Sequence, residues 1–141
     1  MLTQEVVIDF PPNYEDLVEV FDLIPRQGVI FSWGPRLFNP DGVTIAPALL
    51  AHEAVHGERQ LGDIEGWWLR YVDSIPFRLE EELRAHQAEY RHLLQHGNRG
   101  TRRRALKQTA ARLAAPLYGP MCSESEARQW LRTPRFVTRA A

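Results

Sequence analysis

Apolar residues step by threes and fours along much of this chain, and that spacing predicts most of its elements. Tyr14, Leu17, Val18, Phe21 and Ile24 keep a helical period after Asn13, a good N-cap, and Pro25 and Gly28 close the element. A second helix is predicted over about 46–60, with Pro47 in its first turn and Gly62 at its end. From about Phe77 to His96, Leu79, Leu83, His86, Tyr90 and Leu93/Leu94 share one face. Gly97-Asn98-Arg99-Gly100 breaks the pattern, and Thr101 is suited to cap a helix over 102–115, with Leu106, Thr109/Ala110 and Leu113 inward. Ser123 and Glu126 have capping-box spacing and start a short helix through Leu131.

Strand signals are confined to the N-terminal third. Residues 4–9 are β-branched and end at Pro11-Pro12. Val29 to Trp33 and Arg36 to Phe38 flank Gly34-Pro35, and Asn39-Pro40-Asp41-Gly42 is a strong turn signal. They read as two short strands or a hairpin just before the second helix. Asp63 to Ile75 reads as a connector, with Trp67, Trp68 and Tyr71 on one or two turns pressed against the core. The fold class predicted is α+β: a small β element packed on a mainly helical core with C-terminal helices.

Length and composition fit this picture and narrow the function. The 141 residues make one domain, 1–141, with no repeat or low-complexity linker. The chain is 44% hydrophobic and 25% charged, with a net charge of −1, so no global field draws it to nucleic acid or membranes. No apolar run is long enough to span a bilayer, and residues 1–10 lack a basic, apolar leader, which predicts cytoplasmic synthesis. The lone Cys122 excludes an internal disulfide framework. Charge is unevenly spread: six acids precede Arg26, and Arg99, Arg102, Arg103, Arg104 and Lys107 cluster later. Few aromatics interleave that basic stretch, so a solvated helix face, answering the acidic N-terminal segment, is the expectation over a nucleic-acid contact.

The chemistry lies in His52-Glu53-Ala54-Val55-His56. Histidines four apart on a helix share a face, so two imidazoles meet in one space, where zinc suits them. Glu53, one residue on, can reach a metal-bound water without binding the metal. A catalytic site needs a third ligand, and His86, His92, His96, Asp63, Asp73 and the Glu80-Glu81-Glu82-Glu89 group are candidates. Glu82 borders the inward face of the 77–96 helix, whereas Glu80 and Glu81 read as solvated, although a phase error of one residue would exchange Glu81 for Glu82. Ala51, Ala54 and Gly57 let another backbone approach closely.

H-E-x-x-H followed by Glu82-Leu83-Arg84-Ala85-His86 resembles the paired motifs of the gluzincin class of zinc metallopeptidases. Over most of its length the chain resembles small phage- and prophage-encoded metallopeptidases. The marks are Phe31-Ser32-Trp33-Gly34, Phe38-Asn39-Pro40, the motif itself, Glu65 to Tyr71, Phe77 to Leu83, and Leu117-Tyr118-Gly119. The resemblance implies a zincin-like domain that binds Zn2+ through His52, His56 and Glu82, with Glu53 as general base and the strand before the motif helix as the cleft rim. His86 stands where larger gluzincins have an Asp that orients a ligating His. His86 is the second catalytic candidate and Tyr90 a weaker one, as oxyanion donor or as support behind a ligand. The expected partner is a peptide or protein substrate, with nucleic acid and membrane not expected. The alternative is a non-catalytic virion or assembly component that keeps a structural zinc site among phage virion proteins.

Overall fold

Three short strands form a mixed sheet in the order β1-β3-β2: β1 (Glu5–Val7), β2 (Phe31–Trp33) and β3 (Arg36–Phe38). β2 and β3 are the predicted hairpin, pairing Phe31 with Phe38 and Trp33 with Arg36. Its two-residue turn has Gly34 at φ +56 before Pro35, and a two-residue hairpin that begins with a positive-φ residue needs glycine there. β1 joins β3 in parallel. The computed structural model describes residues 2–21, 27–119 and 121–133, and over these the chain is mainly helical with one small sheet, an α+β architecture.

Six α-helices accompany the sheet among the described residues: α1 (Tyr14–Val20), α2 (Pro47–Gln60), α3 (Ile64–Asp73), α4 (Ile75–Gln95), α5 (Arg99–Leu113) and α6 (Glu124–Arg132). The helix expected from Tyr14 to Leu23 stops at Val20, where Phe21 turns extended, and the rest of that expectation lies outside the described residues. The aromatic stretch is more than the expected one or two turns. It is the ten-residue helix α3, because the Asp63 carboxylate accepts from Gly66 N–H at 2.9 Å and caps it. Likewise Ser74 caps α4, which places Pro76 inside its first turn rather than ahead of it. α5 starts within the predicted break, since Asn98 and not Thr101 is its cap. α6 carries the predicted capping box with both bonds formed.

Apolar side chains gather in two clusters, and α4 reaches both, with Phe77 packed against one and Leu83 in the other. One joins Leu17, Phe21, Phe31, Phe38, Trp67 and Tyr71; the other joins Leu83, Leu106, Ala110, Leu113, Ala127 and Leu131. α2 buries little apolar bulk of its own. It buries Ala48, Ala51, Ala54 and Gly57 along with polar residues. Gly57 is pressed on the hairpin: a Cβ there would sit 2.6 Å from the Gly34 carbonyl oxygen. The fold thus brings α2 within close reach of β2 on one side and α4 on the other, leaving its polar residues to pair with theirs.

Arg78 fastens α3, α4 and the 3₁₀ turn Pro116–Tyr118 together. It is buried, and it donates to the carbonyls of Tyr71 (2.9 Å), Val72 (2.8 Å) and Tyr118 (2.8 Å). The first two are carbonyls of the last turn of α3, which lack partners within that helix. Phe21 covers the guanidinium, its ring centroid 4.7 Å from Cζ. Replacing Arg78 with methionine keeps the volume and orphans three acceptors, so it should cost about 3 kcal/mol or more in chemical denaturation. A loss under about 1 kcal/mol would mean water replaces these bonds freely.

Candidate metal centre

His52 and His56 come off one face of α2 and meet Glu82 from the inward face of α4. His52 Nε2 is 3.5 Å from Glu82 Oε1, and His56 Nε2 is 3.0 Å from Glu82 Oε2. All three are buried, and their ligand atoms lie within 4.8 Å of one another, so the cluster could hold a metal ion. Donors arranged tetrahedrally at about 2.0–2.1 Å from an ion stand about 3.3–3.4 Å apart, close to the spacing here. Glu82 Oε1 is buried with no hydrogen-bond partner, an acceptor left 3.5 Å from His52 Nε2.

The residues around the cluster fix its orientation. His52 Nδ1 lies 3.0 Å from Glu89 Oε1; a carboxylate only accepts, so Nδ1–H donates and Nε2 is the nitrogen presented to the cluster. Glu89 in turn is ion-paired with Arg112 of α5. Tyr71 donates to Glu82 Oε2 at 2.7 Å. Ser32 Oγ of β2 lies 2.7 Å from Glu53 Oε2 and 2.8 Å from the Glu53 carbonyl oxygen, so its one hydroxyl proton serves both acceptors of that residue, while Glu53 Oε1 lies 3.9 Å from His52 Nε2. Gln60, the next residue on that face of α2, binds the hairpin backbone: Nε2 donates to the Ser32 carbonyl at 3.1 Å, and Oε1 accepts from Gly34 N–H at 2.7 Å.

Glu81 and Glu82 have different partners. Glu82 joins the imidazoles, whereas Glu81 is ion-paired with Arg59 of α2. The expectation that Glu81 is solvated fails, since it is 1% exposed beneath Arg59. Glu80 does face solvent and pairs with Arg84 one turn on. His86 lies behind the cluster, fully buried, its ring centroid 4.5 Å from that of His52. Its Nδ1 donates to the Glu82 carbonyl at 2.7 Å. In the neutral ring Nε2 then carries a lone pair and no proton, so His86 has nothing to donate to an oxyanion in the cleft. Tyr90, the other candidate, packs in the α4–α5–α6 core. His86 does belong to a second potential ligand set with His52 and Glu89, but Arg112 already engages that carboxylate.

A cavity of about 300 Å³ opens over the cluster. Its floor is His52, Glu53, His56 and Glu82, with Gly28 to Ser32 along one wall and Arg112, Ala115, Leu117 and Tyr118 among the others. Tyr118, carried on the turn that Arg78 holds, and Tyr71 are phenols that sequence reasoning did not assign to a site. Burial and the Glu82 charge push both hydroxyls well above their usual range, so they stay neutral donors. Glu89 was also missed as a partner of His52, although it stands seven residues beyond Glu82 on the same α4 face.

The metal-free cluster couples stability to pH. Burial alone would lower the His52 pKa, but hydrogen bonds to Glu82 and Glu89, with the Glu53 charge, outweigh it and hold the ring at about 10. Burial, reinforced by the His52 charge, lowers His86 to about 3. His52 therefore stabilises the fold fully below about pH 6.5, and the contribution fades as pH rises toward 10. His86 contributes fully above about pH 6.5, and its contribution fades as pH falls toward 3. Thermal unfolding of the chelator-treated protein should show its highest Tm near pH 6–7. A Tm that climbs steadily from pH 7 to 9 would contradict the His52 assignment.

The basic stretch forms no ion pair with the acidic N-terminal segment among the described residues, and Arg102, Arg103, Arg104 and Lys107 are exposed. No described helix is long and apolar enough to cross a membrane. No protein-family model, curated protein or solved structure matches the chain.

Proposed function

We propose that this chain is a zinc-dependent peptidase whose metal is held by His52, His56 and Glu82. The observation that carries the reading is the buried His52–His56–Glu82 cluster on the floor of an open cleft, with Glu53 beside it. Bound zinc would supply Lewis acidity and a water acidified toward neutrality. Imidazoles with a single carboxylate favour zinc over magnesium or calcium, which prefer all-oxygen sites.

The protein's own groups divide the remaining work. Ser32 holds Glu53 by Oε2, leaving Oε1 toward the cluster to take a proton from the attacking water and pass it to the leaving amine. Tyr71 donates to Glu82, and Tyr118, a second neutral phenol that lines the cavity beside the same carboxylate, is our candidate donor for charge developing on the carbonyl oxygen. The hairpin register turns the Ser32 carbonyl outward, where Gln60 and Trp68 take it. Beyond it, Gly28 to Phe31 line the cavity, where an extended peptide could lie by strand addition.

The test is metal content and peptide hydrolysis of the wild type. About one zinc per chain is expected, with hydrolysis of a mixed peptide library lost to chelator and restored by zinc. A protein that never takes up zinc under these conditions would overturn the reading. Zinc bound without hydrolysis of any peptide would leave the chain as a metal-stabilised binding or assembly component.

A further inference from the structure

Arg112 is the one permanently charged cation in the cavity wall among the described residues. It reaches the cavity from the last turn of α5. Its Nη1 pairs with Glu89 Oε2, and no other partner is present among the described residues. A guanidinium offers five N–H donors in a planar fork, so most of them have no protein partner here. Its side chain is 46% exposed while that of Glu89 is 4% exposed, and Arg112 lines the cavity. Much of the remaining lining is apolar, with Leu17, Phe21, Val29, Ile30, Leu49 and Leu117.

We propose that the cleft selects peptides that present a carboxylate to Arg112 while a neighbouring apolar side chain fills the wall beside it. The inference rests on the cleft being a peptide site, as argued above, and names the substrate class. A carboxylate is the anion whose two oxygens match the free edge of a guanidinium, and an apolar surround strengthens the pairing by excluding water. The carboxylate can come from a free peptide C-terminus or from an Asp or Glu side chain. The Arg112–Glu89–His52 chain of contacts places this recognition point one ion pair and one hydrogen bond away from a proposed metal ligand.

The test uses the zinc-loaded full chain and peptides with a leucine or phenylalanine at the candidate cleavage position. Each is made as free acid and as C-terminal amide, and again with Glu or Gln beside the apolar residue. Hydrolysis is measured in the wild type, and binding by calorimetry in E53Q. At least one carboxylate form should bind about tenfold more tightly, and show a lower KM, than its neutral twin. R112Q should bring that ratio close to one. The acid/amide arm and the Glu/Gln arm identify the source of the carboxylate. Equal binding of both twin pairs by E53Q, with equal hydrolysis of them by the wild type, would overturn the proposal, even if R112Q fails to fold. Hydrolysis without carboxylate preference would remove only this inference. Carboxylate-dependent binding to E53Q, with no hydrolysis by the wild type, would remove only the catalytic reading.

Discussion

Glu82→Ala should abolish stoichiometric zinc binding, weakening affinity by well over 100-fold. Loss of an outer partner that orients a ligand costs about 10–100-fold, and Glu82 is proposed as a ligand itself. It supplies the only carboxylate of the cluster that touches both imidazoles, at 3.5 Å and 3.0 Å. Removing it also strips counter-charge from His52 and leaves the Tyr71 hydroxyl without its acceptor, so the metal-free variant should be destabilised by about 3–5 kcal/mol. The informative contrast is with two neighbours. Glu81→Ala breaks the Arg59 pair and should keep full zinc occupancy. Glu89→Gln should keep zinc at saturation but fall within the 10–100-fold range, because the amide can still face His52 Nδ1–H. Competition titration with a chromogenic chelator measures all three. Full zinc content in Glu82→Ala, with loss in Glu81→Ala, would mean that the carboxylate was assigned one residue out of phase.

That phase was readable because α4 has a strong local signal. Leu83, His86 and Tyr90 mark its inward side, and Glu82 borders it. The two imidazoles of α2 were readable for the same reason, as an i, i+4 pair. What was unreadable is what other elements bring. Glu81 lies off the apolar stripe and looks solvated until Arg59 of α2 folds across it. β1 has strand-forming residues, but nothing local says that it pairs in parallel with β3 rather than with the nearer β2. Tyr71 and Trp67 look alike in a hydrophobic pattern, and only the reach of the phenol to Glu82 separates a site residue from a packing one. Tyr118 comes to the cavity because Arg78, forty residues earlier, holds its carbonyl. His86 had the right residue type and the right face, but its Nδ1–H goes to the Glu82 carbonyl four residues back, which leaves it behind a proposed ligand and not in the cleft as an oxyanion donor.

Glu53→Gln should lower kcat by about 10²–10⁴-fold while zinc content and fold stay as in the wild type. Three features separate the base from the ligands. Glu53 lies outside the candidate donor set, its nearest approach to His52 Nε2 being 3.9 Å against 3.5 Å for Glu82. Its carboxylate forms part of the cavity floor, so a substrate can meet it. Its Oε2 is tethered by Ser32, and a glutamine oxygen can accept the same bond, so the substitution exchanges a basic oxygen for an amide with little change in shape. KM should then change little, because the peptide is held by the strand edge and the cavity wall rather than by the base. Steady-state kinetics beside metal analysis of the same preparation decides the matter. Hydrolysis within twofold of wild type would assign proton transfer elsewhere. Zinc lost together with activity would make Glu53 a contributor to the metal site, in which case the Ser32 contact would be holding a ligand rather than a base.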